Sequence, residues 1–211
     1  MLRAFGAGTA AAIAVLSMSA TASAQQPELP VNALAPEITT EADLAVEAYD
    51  EYIETDDLAD FLVYAEHRAA TARLAARELG YDEFSMIDAW SDASLEHQRA
   101  VLAAMTQIGV PYKSLASVED EGFDCSGLTS FAWEESGVVL NRISGDQIRA
   151  ATEVDRESAL AGDLVHYPGH VMMYLGVGEA VVHSVTTGRT VEIDTISARR
   201  ANSVTYGNPL D

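Results

Sequence analysis

The chain has 211 residues, of which 48% are hydrophobic, enough for one compact domain of ordinary size plus an appendage. Its 33 acidic residues against 12 lysines and arginines give a formal charge of -21. That balance excludes nucleic acid and anionic membrane surfaces as partners, because both need clustered cations.

The first residues run Met1-Leu2-Arg3, then an apolar, alanine-rich stretch to Leu16, then Ala22-Ser23-Ala24. A basic start, a short apolar centre and small residues before a cleavage point describe a secretory signal peptide over 1–24. The mature chain then starts at Gln25, in the periplasm or cell envelope, with no membrane anchor. Pro27, Pro30 and Pro36 without periodicity mark a linker over 25–39. An acidic helical region follows over 40–90. Thr40 and Asp43 resemble a capping box for a first helix carrying Leu44, Ala48 and Tyr52. A second helix carries Leu58, Phe61, Leu62, Ala65, Ala69, Ala72 and Ala76 and stops at Gly80. Two helices this small bury too little to stand alone. They are expected to pack on the remaining chain, either limiting access to its site, with a protein regulator as the possible partner, or packing away from the cleft and only stabilising or tethering. No D-x-D-x-D-G loop accompanies the carboxylates, so no calcium site is assigned.

The second domain, 91–211, opens on a helix over Ser94 to Ile108 with Leu95, Val101, Leu102 and Met105 as its apolar stripe, ended by Gly109 and Pro111. Ser117 to Gly122 is a turn-rich loop. After it come Phe123-Asp124-Cys125-Ser126-Gly127-Leu128 and a helical pattern that ends at Gly137. Cys125 is the only cysteine, so a disulfide framework is excluded, and an unpaired cysteine in an exported protein reads as a reactive thiol. At a helix start, unpaired N–H groups and the dipole favour the thiolate. Ser144 and Gln147 suggest a further capping box for a helix to about Ala151. Beyond it, 163–167, 170–175, 180–185, 190–196 and 203–206 read as short, mostly antiparallel strands joined by glycine turns. Helices first and strands later predict an α+β fold, an antiparallel sheet packed on helices.

Of five histidines, His67 and His97 are expected on helix surfaces, and His166 is expected to be structural. His170 opens one strand and His183 lies in the next, folded back by Gly176-Val177-Gly178, so the two can be neighbours. A cysteine nucleophile, a histidine base and a polar third member follow the logic of nucleophilic catalysis. The spacing is not that of a metal site, and no metal or organic cofactor is implied.

In family order the chain carries Gly109-Val110-Pro111-Tyr112, Gly122 to Leu128, Gly162-Asp163-Leu164-Val165, His170 to Gly176, and Val181-Val182-His183-Ser184. Over about residues 94–200 it resembles the NlpC/P60 cysteine peptidases. The resemblance implies a papain-like α+β fold. It also implies cleavage of peptidoglycan stem peptides, in most members between D-γ-glutamate and the diamino acid that follows. It makes Cys125 the nucleophile, His170 the base and His183 the orienting member. Tyr112 matches a tyrosine beside the nucleophile, and Asp124 and Ser126 match positions lining the substrate cleft. The chain departs from the family pattern at Lys113-Ser114-Leu115, at Asn141 and at Met172-Met173. The alternative readings are a cysteine amidase or acyltransferase on a related fold, and a non-catalytic wall-binding or regulatory protein.

Overall fold

A computed structural model describes residues 32–210. The expected signal peptide over 1–24 and the first part of the expected linker lie outside the described residues. The first helix, α1, spans Ala35–Thr55 and so starts before Thr40. Pro36 occupies its first turn, where a missing N–H costs nothing. The start is fixed by a distant residue: the Glu78 carboxylate accepts from the N–H groups of Ala33 (2.9 Å) and Leu34 (2.8 Å). The Thr40 hydroxyl donates to the Pro36 carbonyl inside the helix and caps nothing. Asp56, in the left-handed region, ends α1, and Asp57 caps α2, Leu58–Leu79, by accepting from the Ala59 N–H. Gly80, at φ 75°, stops α2.

The buried stripe of α2 is Tyr64, Arg68, Thr71, Ala72, Ala75 and Ala76. It differs from the expected one, since Leu58 is 70% exposed and Leu62 is exposed too. Small side chains at the contact let α1 and α2 approach closely, and the hairpin packs on α3, Glu83–Asp92, and α4, Leu95–Thr106. Asp82 and Ser94 cap α3 and α4.

Two short strands, β1 (Ser117–Val118) and β2 (Gly122–Phe123), pair antiparallel and lead into α5, Cys125–Glu134. Then come α6, Ser144–Ala150, and β3, Thr152–Val154. The remaining strands are β4 (Leu164–Tyr167), β5 (His170–Tyr174), β6 (Ala180–Ser184), β7 (Val191–Thr195) and β8 (Thr205–Asn208). They form one sheet in the order β3-β8-β4-β5-β6-β7, antiparallel throughout. This is the expected α+β arrangement.

One face of the sheet joins the helices in a core that runs without a break from Ala35 to Ile193. The Trp90 indole N–H donates to the Leu175 carbonyl (3.0 Å), tying α3 to the sheet. His97, expected at the surface, is 1% exposed and bonds through Nε2 to Asp163 Oδ1 (3.0 Å). Asp163 directly precedes β4, so the correction has a cause that lies far along the chain: the N-terminal turn of α4 docks at the start of that strand. The other sheet face carries a smaller cluster of Val165, Met172, Tyr174, Val181, Ile196 and Tyr206.

Among the described residues, no hydrogen bond or ion pair joins the α1–α2 hairpin to Cys125. Arg99 joins Asp50 of α1 (3.4 Å) to Glu135 (2.9 Å), which follows the last residue of α5. Cys125 is at the opposite end of that ten-residue helix, about 15 Å away. The expected restriction of access by these helices therefore finds no contact to support it.

Candidate active site

Cys125 is the first residue of α5 and is partly exposed. Asp124 is the N-cap, and its Oδ1 accepts from the Gly127 N–H (2.7 Å). That leaves the N–H groups of Cys125 and Ser126 without an acceptor among the described residues at the helix start. Gly127 is required by space as well. A Cβ there would lie 2.0 Å from the Ala116 carbonyl oxygen. The same oxygen accepts from the Asp124 N–H (3.0 Å) and from Arg142 (3.1 Å).

Arg142 grips Asp124 with two nitrogens, at 2.9 Å to Oδ1 and 2.8 Å to Oδ2, and also donates to the Ser126 hydroxyl (3.0 Å). Burial alone would raise the Asp124 carboxyl. The Arg142 fork and the N–H groups of Gly127 and Leu115 outweigh it and hold the carboxyl below the usual range. Asp124 and Ser126 are both buried, and their side chains face Arg142. Gln147 braces the helix from the other side. Its amide donates to the Ser126 carbonyl (3.0 Å) and the Ser130 hydroxyl (2.9 Å), and its oxygen accepts from Thr129 (2.8 Å). The capping box expected of Ser144 and Gln147 is absent, because Gln147 is spent on α5 and the N-cap of α6 is Ile143.

Tyr112 is held by its backbone, bridged to Phe123 and donating its N–H to the Arg189 carbonyl (2.8 Å). Burial raises its phenol, with further upward pressure from Cys125 and Asp124.

The two expected histidines meet. His170 Nε2 lies 2.8 Å from His183 Nδ1, with the rings edge to face, and both residues are buried. Burial, then His183, Arg200 and His166, push His170 from the ordinary 6.5 down to about 3. Burial also lowers His183, to about 4; Glu192 opposes the shift and Arg189 adds to it. Both rings are therefore neutral near pH 7. His183 Nε2 is buried without a hydrogen-bond partner, and the Asp194 carboxylate is 4.0 Å away. His183 and Glu192 face each other across β6 and β7, and Glu192 is taken up by Arg189 and Thr190.

The strand of the histidines and the loop of the cysteine are stapled together. Ser184, next to His183, donates its hydroxyl to the Phe123 carbonyl (2.8 Å), two residues before Cys125. Sequence reasoning missed Arg142 and Gln147. The only local signal was their type, a long polar residue beside a turn; their partners lie 16 to 26 positions away.

Residues 109–207 match the model of the NlpC/P60 family. The peptidoglycan endopeptidase RipB of Mycobacterium tuberculosis is 39% identical over 102 residues, covering 41% of this chain and 42% of its own. A gamma-D-glutamyl-L-lysine dipeptidyl-peptidase of Bacillus cereus is 39% identical over 94 residues, covering 41% of this chain and 28% of its own. A solved NlpC/P60 family protein from Bacillus cereus is 29% identical at a TM-score of 0.49, over 55% of this chain and 40% of that one. The chain spans less than half the length of the curated relatives it matches. The matched stretch holds the Cys125 loop and both histidines, so the similarity to the NlpC/P60 family lies in residues 109–207.

Proposed function

We propose that the protein is an exported cysteine endopeptidase that hydrolyses peptidoglycan stem peptides at the bond between D-γ-glutamate and the following diamino acid. The observation that carries this reading is the His170–His183 pair, buried and neutral, on strands stapled to the loop that presents Cys125. The names of the relatives supply the substrate class.

Cys125 is the nucleophile. His170 spends Nε2 on His183, so its Nδ1 is the nitrogen that takes the thiol proton. For that tautomer His170 donates from Nε2, His183 accepts at Nδ1, and His183 carries its own proton on Nε2. His183 thus orients the base and stays neutral. Sγ attacks the carbonyl carbon, and the oxyanion is received by the free N–H groups at the start of α5. His170 returns the proton to the leaving amine, giving a thioester. Water then attacks, with His170 as base, and releases the acid and the thiol. Asp124 and Ser126 act through Arg142 to hold the helix start; Tyr112 lines the cleft beside Cys125.

The test is digestion of purified peptidoglycan and mass analysis of the fragments, wild type against Cys125→Ala. New amines on the diamino acid, absent with the variant, support the reading. Binding to the wall with no cleavage by either protein would identify a wall-binding module instead.

A further inference from the structure

Two of the arginines around the site are consumed by carboxylates: Arg142 by Asp124, and Arg189 by Glu192. Arg200 is not. Its guanidinium has no acceptor among the described residues; it stacks on the ring of Tyr167, with Cζ 3.8 Å from the centroid. Tyr167 in turn is paired with His170 across β4 and β5, and the two rings are 5.2 Å apart. The Arg200 backbone is pinned, its N–H donating to Ser197 and its carbonyl accepting from Ser203, both at 2.7 Å.

Stacking uses the face of a guanidinium and leaves its edge of N–H donors free, in the geometry that receives a carboxylate with two bonds. The chain has an excess of carboxylates, yet none is placed on this edge. The position also has a cost. A lone cation beside His170 opposes the proton transfer that the base must accept. An anion arriving with the substrate would cancel that opposition.

We infer that Arg200, held on Tyr167, is the receptor for a free carboxylate of the substrate peptide next to the scissile bond. The inference rests on the peptidase reading and names what the site selects. Glutamate joined through its side chain leaves its α-carboxylate free, and the diamino acid carries another. Both offer the same chemistry to Arg200. Binding also neutralises the cation, so the base becomes competent when the correct peptide is seated.

The experiment uses γ-D-glutamyl-L-lysine peptides in three forms: both carboxylates free, the glutamyl α-carboxylate amidated, and the lysine carboxylate amidated. Binding is measured by calorimetry to the Cys125→Ala protein, with and without Arg200→Gln. The expected result is a preference of roughly 10- to 100-fold for the free acid at one of the two positions. That preference should be erased by Arg200→Gln and partly kept by Arg200→Lys. The amide that binds weakly identifies which carboxylate is read. No preference, a preference that survives Arg200→Gln, or no binding of any peptide overturns the inference. Cleavage of the free-acid peptide by the wild type is scored separately. A protein that cleaves it but shows no Arg200-dependent preference sinks this inference and leaves the peptidase reading standing.

Discussion

At the residue scale, the proposed mechanism gives the two histidines unequal parts. His170→Ala removes the only group assigned to move a proton, and kcat is expected to fall by roughly 100-fold or more. His183→Asn keeps an amide oxygen to accept from His170 and should retain a measurable part of the activity. Equal loss in both variants, measured on the same soluble muropeptide, would refute the division of roles. The lowered values of both rings also set a pH dependence. The unfolded chain takes up protons near 6.5 that the folded chain refuses until about 3 to 4. The stability these neutral rings leave intact is therefore fully present above 6.5 and is lost as pH falls. The slope approaches about 1.4 kcal/mol per pH unit for each ring. Urea midpoints between pH 7 and 4.5 should decline more steeply in the wild type than in His170→Ala/His183→Ala; parallel declines would show that other groups set the slope.

At the scale of the element, the first turn of α5 is fixed by four groups: Asp124 as cap, Arg142 and Gln147 as braces, and the Ala116 carbonyl against Gly127. The Ala116 oxygen cannot retreat freely, since it also receives the Asp124 N–H and Arg142. Gly127→Ala is accordingly expected to push the loop away from the helix, cost about 1–3 kcal/mol and lower kcat at least about 10-fold. Thermal unfolding and kinetics on one preparation check both effects. A variant with unchanged melting temperature and unchanged turnover would show that the loop yields more easily than its bonds imply.

At the scale of the whole molecule, the acidic helices share one core with the part that carries Cys125. Ile38, Tyr64, Ala72, Met86 and Trp90 are buried in the same cluster as Leu102, Leu128 and Val182. The pair of His97 and Asp163, both 1% exposed, fixes α4 to the sheet that those helices cover. A shortened chain beginning at Asp92 would expose the partners of Trp90 and Met86. It is expected to unfold at lower urea than a chain that keeps residues 32–91, or to aggregate, and not to cleave faster. A folded, equally stable shortened chain with faster turnover would restore the gating role that the packing does not support.

Much of this was written locally in the chain. The single cysteine before Ser126-Gly127, the strands from His170 and from Ala180 joined by a glycine turn, and the helix stop at Gly80 are short-range signals, and each appears close to its expected place. Period-two and glycine patterns act over a few residues, so a sequence displays them. Only the tertiary structure decided which face of α2 is inside, because α1 and α3 accept its alanine stripe and leave Leu58 and Leu62 in solvent. It alone started α1 at Ala35 through Glu78, buried His97 against Asp163, and turned Gln147 and Arg142 onto α5. In each case the deciding partner is 16 to 66 positions away. Long polar side chains choose partners by proximity after folding, and the chain's own order does not state that proximity.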